Sequence, residues 1–160
     1  MSVTDQTELP VSCFTSQLPY DGKGCGVAVV FCSDGRFGDH VHDFVQNGLG
    51  LHGYDRLAIA GGPACLAGHF AAIRDEEGAS RHLHFLAGLR GLTRVILISH
   101  EDCGFYKHVL KVSPAELLNR IRIDLAAAVL RIGKALPRLK VEAYVARLTA
   151  EQVWFETVIP

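Results

Sequence analysis

The sequence predicts an α/β fold, a mainly parallel central sheet flanked by helices and closed by a C-terminal antiparallel edge strand. Three observations carry this expectation. Two continuous apolar runs rich in β-branched residues, Val27-Ala28-Val29-Val30-Phe31 and Val95-Ile96-Leu97-Ile98, read as strands buried on both faces. Helical periodicity lies between them, which implies a parallel sheet with right-handed crossovers. Residues 140–148 alternate like a strand, and 153–159 offer a hairpin partner across a turn at 149–152.

Taken in order, residues 1–20 form an irregular N-terminal arm interrupted by Pro10 and Pro19, and 21–160 form a single domain. A Gly-rich turn at 21–26 leads into the first apolar strand. Val41, Phe44, Val45 and Leu49 then follow helical spacing, with Asp39 as N-cap and Gly48, Gly50 and Gly53 closing the element. Residues 56–60 make a second short strand, stopped by Gly61-Gly62-Pro63. Two helices are expected next, 64–73 and 81–89, separated by a polar break at 75–80 and ended by Gly91. After the second apolar strand, Ser113-Pro114-Ala115-Glu116 reads as a capping box opening the longest helix, 114–136, which Pro137 stops.

Composition narrows the function classes. The chain has 160 residues, 49% of them hydrophobic, and a formal net charge of −1 from 16 basic and 17 acidic side chains. Its mean hydropathy is +0.20, which suits a covered sheet or an interface between copies. With no basic run, nucleic acid is not an expected partner. No apolar run reaches membrane-spanning length, and 1–19 lack the pattern of a signal peptide. The five cysteines are irregularly spaced, so they are not a disulfide framework. The expectation is a reduced, cytoplasmic protein, where cysteines serve as metal ligands, catalytic groups or core filler.

Sites in open parallel sheets form beyond the carboxyl ends of strands. The first strand here runs into Cys32, and the third runs into His100 with Cys103 in the following loop. If those strands are neighbours, two thiolates and one imidazole converge, a donor set that suits zinc and leaves a fourth position for a water. Asp34 and Arg36 follow on the same turn as Cys32, where carboxylate and guanidinium can pair. Gly104 lets the backbone approach closely. Cys13, Cys25 and Cys65 have no partner at metal spacing, and Cys65 reads as core. His40, His42, His82 and His84 read as solvated or packed. His40, His52 and His108 are candidate proton shuttles, and Phe37, Phe105 and Tyr106 are pocket walls or ordinary packing.

Cys32-Ser33-Asp34-Gly35-Arg36 resembles the Cys-x-Asp-x-Arg signature of the β-class carbonic anhydrases, and His100-Glu101-Asp102-Cys103-Gly104 resembles their His-x-x-Cys-Gly signature. The resemblance spans roughly 27–110 and marks a short, divergent relative. It implies zinc held by Cys32, His100 and Cys103. It implies that Asp34 accepts a hydrogen bond from a zinc-bound hydroxide while Arg36 orients it, and that the reaction is reversible hydration of carbon dioxide to bicarbonate. Some members let the signature Asp bind zinc directly, and Asp34 can do either. The family forms dimers or larger assemblies.

The chain departs from the pattern at Ala58-Ile59-Ala60-Gly61-Gly62, where members carry polar groups, at Gly35, where Ser or Thr is usual, and at Lys23, where many plant-type members have Gln. Segment 58–63 therefore keeps two other readings open. One is hydrolysis of carbonyl sulfide or carbon disulfide on the same site, the other a non-catalytic relative that binds zinc or bicarbonate. Thiol redox chemistry is disfavoured, because no Cys-x-x-Cys is present.

Overall fold

The apolar runs become strands where expected. In the computed structural model, which describes residues 13–20 and 22–158, β1 is Val27–Cys32, β2 Asp55–Ile59, β3 Arg94–His100, β4 Lys140–Leu148 and β5 Val153–Val158. They form one sheet in the order β2-β1-β3-β4-β5. The pairs β1–β2, β1–β3 and β3–β4 are parallel, and β5 closes the edge antiparallel to β4. The hairpin turn is tied by the Thr149 amide donating to the Gln152 carbonyl at 2.9 Å. Most of the expected N-terminal arm, 1–12, and the last two residues lie outside the described residues.

Side-chain alternation splits the core into two layers. Ala28, Val30 and Cys32 of β1, with Val95 and Leu97 of β3, face a cluster containing Leu83 and Leu86 of α2 (Ile73–Leu89) and Ile121, Leu125 and Ala128 of α3 (Leu117–Ala135). Val27, Val29 and Phe31, with Ile96 and Ile98, face Val41 of α1 (Gly38–Asp43) and Val45 of the π-helical turn that extends it, Phe44–Gly48. Both central strands are thus buried on both faces, which is why their sequences are apolar throughout.

Four local expectations are corrected. The stretch expected as a helix over 64–73 is instead a 3₁₀ segment, Gly62–Ala67, followed by another, Phe70–Ala72. Gly61 and Gly68 flank the first with φ of 76° and 89°, so left-handed backbone at both ends prevents a continuous α-helix. The polar stretch 75–80 does not break the chain: α2 runs through it, with Asp75 and Glu76 in its first turn, where carboxylates are favoured by the helix dipole. At α3, the Ser113 hydroxyl bonds the Glu116 carboxylate at 2.5 Å, and 114–116 form a turn, so the helix begins at Leu117 with Glu116 as its N-cap. Asp39 likewise lies in the first turn of α1, and Phe37 holds the N-cap position.

Leu125 is fully buried between α3 and the sheet. Leu125→Ala is expected to lower unfolding free energy by about 2–5 kcal/mol in urea denaturation. Leu130→Ala, on the exposed side of the same helix, should change it by no more than about 0.5 kcal/mol.

Candidate metal centre

Parallel pairing of β1 with β3, from Val27 opposite Arg94 to Phe31 opposite Ile98, brings the two strand ends side by side. Cys32 ends β1, His100 ends β3, and Cys103 follows in the turn. Their ligand atoms all lie within 4.8 Å of one another. The side chains are almost completely buried, at 7%, 2% and 1% exposure for Cys32, His100 and Cys103.

The Cys32 and Cys103 sulfurs are 4.0 Å apart, within reach of a hydrogen bond. That bond lowers the pKa of Cys32 against the opposing effect of burial, and with burial it pushes Cys103 up. The imidazole is oriented by Nδ1, 2.7 Å from the Glu101 carbonyl, to which it donates. Nε2 is then the lone-pair nitrogen, and it is buried with no hydrogen-bond partner. The Phe37 ring stacks on the imidazole at 4.0 Å between centres and holds its plane. A buried acceptor nitrogen facing two sulfurs lacks what a soft or borderline cation would supply, so the residues fit zinc.

Asp34 and Arg36 pair as the sequence predicts. Arg36 Nη2 donates to Asp34 Oδ2 at 2.7 Å and Nε to Oδ1 at 3.1 Å, while the Arg36 amide caps the same carboxylate at 3.0 Å. The Arg36 guanidinium holds Asp34 down to a pKa of about 2, so the carboxylate is ionised across the neutral range. Asp34 Oδ2 also lies 4.0 Å from His100 Nε2, beside the ligand cluster. A crevice of about 390 Å³ opens over Cys32 and Asp34, walled by Ala60, Gly61, Phe105 and Val109. A larger cavity, about 440 Å³ between α2 and α3, contains none of these residues.

No protein-family model matches the chain, and no curated protein matches it. Solved structures do. A carbonic anhydrase from Glaciozyma antarctica superposes with a TM-score of 0.55 at 20% identity, covering 83% of this chain and 82% of that one. β-Carbonic anhydrase isoform I from Trichomonas vaginalis gives 0.59 at 13%, covering 91% and 88%. A carbonic anhydrase from Streptococcus mutans gives 0.52 at 19%, with the same coverage. The chain has the β-carbonic anhydrase fold.

Segment 58–62 supplies the crevice with the small residues Ala60 and Gly61, and its glycines have a steric reason. A Cβ on Gly62 would sit 2.7 Å from the Cys32 amide nitrogen and 2.8 Å from the Phe31 carbonyl carbon, and the residue has φ of 53°. A Cβ on Gly61 would strike the Phe105 ring at 2.5 Å. Gly104, expected to provide close backbone approach, has φ of −60° and a Cβ there would meet only the His108 ring at an ordinary 3.9 Å; the close approach is made by Gly61 and Gly62.

Phe105 lines the crevice, whereas Phe37 is buried core stacked on His100. Tyr106 is fully buried core, as is Cys65, whose thiol burial pushes up to about 12. His42 bonds the Tyr54 hydroxyl at 3.0 Å and His84 the Ser80 carbonyl at 2.8 Å, both away from the cluster. Two groups escaped sequence reasoning. Asp102, inside the His-x-x-Cys spacing, takes Arg36 Nη1 at 3.0 Å and also pairs with Lys107. Buried Asp124 of α3 is held by His69 at 2.7 Å and Arg120 at 2.9 Å. The partners Arg36 and His69 are distant in sequence, and the one local signal is Arg120, four residues before Asp124 on α3.

Gly62→Ala must displace the end of β1 and strain the turn. It is expected to lower stability by more than about 1 kcal/mol, measured as a shift in the urea midpoint.

Proposed function

We propose that this chain is a zinc-dependent carbonic anhydrase that reversibly hydrates carbon dioxide to bicarbonate, with Cys32, His100 and Cys103 holding the metal. The observation that carries this reading is the buried, partnerless Nε2 of His100 facing two sulfurs at the mouth of a crevice. Bound there, zinc supplies Lewis acidity that makes water a nucleophile near neutral pH. Asp34 is the acceptor that orients the attacking water, and being ionised it can only accept. Arg36 holds Asp34 in that orientation. The apolar wall of Ala60, Gly61, Phe105 and Val109 suits a small linear substrate without charge.

The same wall favours a second reading, hydrolysis of carbonyl sulfide or carbon disulfide, because the lining of the crevice includes no amide or guanidinium side chain. A zinc or bicarbonate module without catalysis is less well supported, since a structural metal has no use for the Asp34–Arg36 pair. The proposal includes a reduced, cytoplasmic setting, in keeping with the free cysteines. It also includes a homodimer or larger homo-oligomer, in keeping with exposed Phe70, Phe85 and Leu89. No described helix is long and apolar enough to cross a membrane.

Zinc analysis of the purified chain should give one zinc per chain, and Cys103→Ser should lose most of it. Absence of zinc uptake on titration would sink the reading. Carbon dioxide hydration should rise toward alkaline pH, because two thiolates donate charge to the metal and make its water less acidic. Asp34 has a depressed pKa of about 2 and stays ionised over that whole range, so the rise cannot be its titration. Asp34→Ala should retain zinc and lose roughly tenfold to a hundredfold in kcat by stopped-flow assay. Turnover of carbonyl sulfide exceeding that of carbon dioxide would favour the second reading.

A further inference from the structure

We propose that Asp102 is a positioning residue that clamps Arg36 from the His100 side and thereby keeps Asp34 turned toward Arg36 rather than toward the metal. This rests on the carbonic anhydrase reading for its kinetic consequence, though not for its geometry.

Arg36 and Asp34 sit on one turn, and the Arg36 side chain is 58% exposed. Exposed pairs of this kind are weakly held, because ordering two side chains offsets much of the attraction. What ties the guanidinium to the other ligand loop is Asp102. Its Oδ2 accepts from Arg36 Nη1 at 3.0 Å, and its main-chain carbonyl lies 3.4 Å from Nη2. The two edges of the guanidinium are thus divided between carboxylates from the two ligand-bearing loops, a fork geometry that only Arg offers. Lys107 takes the other oxygen of Asp102 and fixes the carboxylate from behind.

The backbone is arranged for the same contact. Asp102 has φ of 60°. That left-handed conformation suits Gly best and tolerates Asp and Asn. A loop needing only the turn would be served by Gly, whereas Asp also aims a carboxylate and a carbonyl at one guanidinium. The neighbouring residue is fixed too, with the Glu101 amide on the Ala146 carbonyl at 3.0 Å and the Glu101 carboxylate on the Leu148 amide at 2.7 Å. The clamp matters because Asp34 Oδ2 is only 4.0 Å from His100 Nε2. A cation on that nitrogen competes with Arg36 for the carboxylate. A guanidinium fixed from two sides favours Arg36 in that competition.

The test uses the zinc-loaded full chain and the variants Asp102→Gly and Asp102→Asn, both of which suit the backbone. Lys140→Met, whose ion pair with Glu142 lies at the opposite end of the sheet, serves as control. The readouts are zinc per chain, the Arg36 Nε–Hε NMR signal (assigned by its loss in Arg36→Lys), and carbon dioxide hydration. Zinc should stay at the wild-type level throughout. In Asp102→Gly the Arg36 signal should broaden or shift toward that of a free guanidinium, with kcat down roughly tenfold and KM changed by less than about twofold. Asp102→Asn, which keeps an acceptor oxygen, should restore part of both, and Lys140→Met should leave both near wild type. An unchanged Arg36 signal and kcat in both Asp102 variants would overturn the proposal, as would equal losses in Lys140→Met. If the wild-type chain hydrates no carbon dioxide, the functional reading fails, and the Arg36 signal alone decides the role of Asp102.

Discussion

Parallel pairing of β1 with β3 is the constraint on which the site depends. It sets Cys32 and His100 at the ends of adjacent strands, and two strand ends pointing the same way leave no chain between them to fill the gap. The turn after β3 returns Cys103 to that gap. Burial then makes the arrangement demanding. Two sulfurs lie 4.0 Å apart, and an imidazole nitrogen has no hydrogen-bond partner, inside a region nearly closed to solvent. Unsatisfied buried acceptors are costly unless something is bound to them. The donor set is therefore more readily explained as a binding site than as core filler.

Around that cluster the charges form a chain rather than isolated pairs. Asp34, Arg36, Asp102 and Lys107 alternate in sign, running from Asp34 at the crevice to the loop after β3. Each member taken alone is too exposed to contribute much to stability. Their value is geometric, because a carboxylate held by a fork-shaped donor has one orientation, and orientation is what a hydrogen-bond acceptor at a reacting atom must supply. Phe37 joins the two groups of residues. Its ring stacks on His100, and the Arg36 guanidinium lies 5.7 Å from its centre.

The strands and the clustering of Cys32, His100 and Cys103 were legible in the sequence because their causes are local. A strand buried on both faces needs an unbroken apolar run, as at Val95-Ile96-Leu97-Ile98, and the placing of side chains at strand ends follows directly. Cys32 with Asp34 and Arg36, and His100 with Cys103, each lie within one turn. The helices after β2 were less legible. Left-handed Gly61 and Gly68 decide where the 3₁₀ segment stops, and a glycine does not announce the sign of its φ. The polar stretch 75–80 looked like a break because its residues are charged. It is the solvent-facing start of α2, where Glu76 pairs with Arg131 of α3. Asp102 was invisible for a similar reason, since nothing near it in the chain says that its carboxylate meets Arg36.

The crevice chemistry follows from what has been taken out of play. Both edges of the Arg36 guanidinium are occupied by Asp34 and Asp102. The wall opposite is Ala60, Gly61, Phe105 and Val109, with neither a positive charge nor an amide among the residues lining the crevice. A neutral linear molecule can enter such a space without surrendering strong hydration, whereas an anion would give up its water for little in return. The crevice lining is therefore more hospitable to an uncharged molecule than to an anion, which is the asymmetry the proposed hydration would need. It arises from the small residues Ala60 and Gly61 that follow β2.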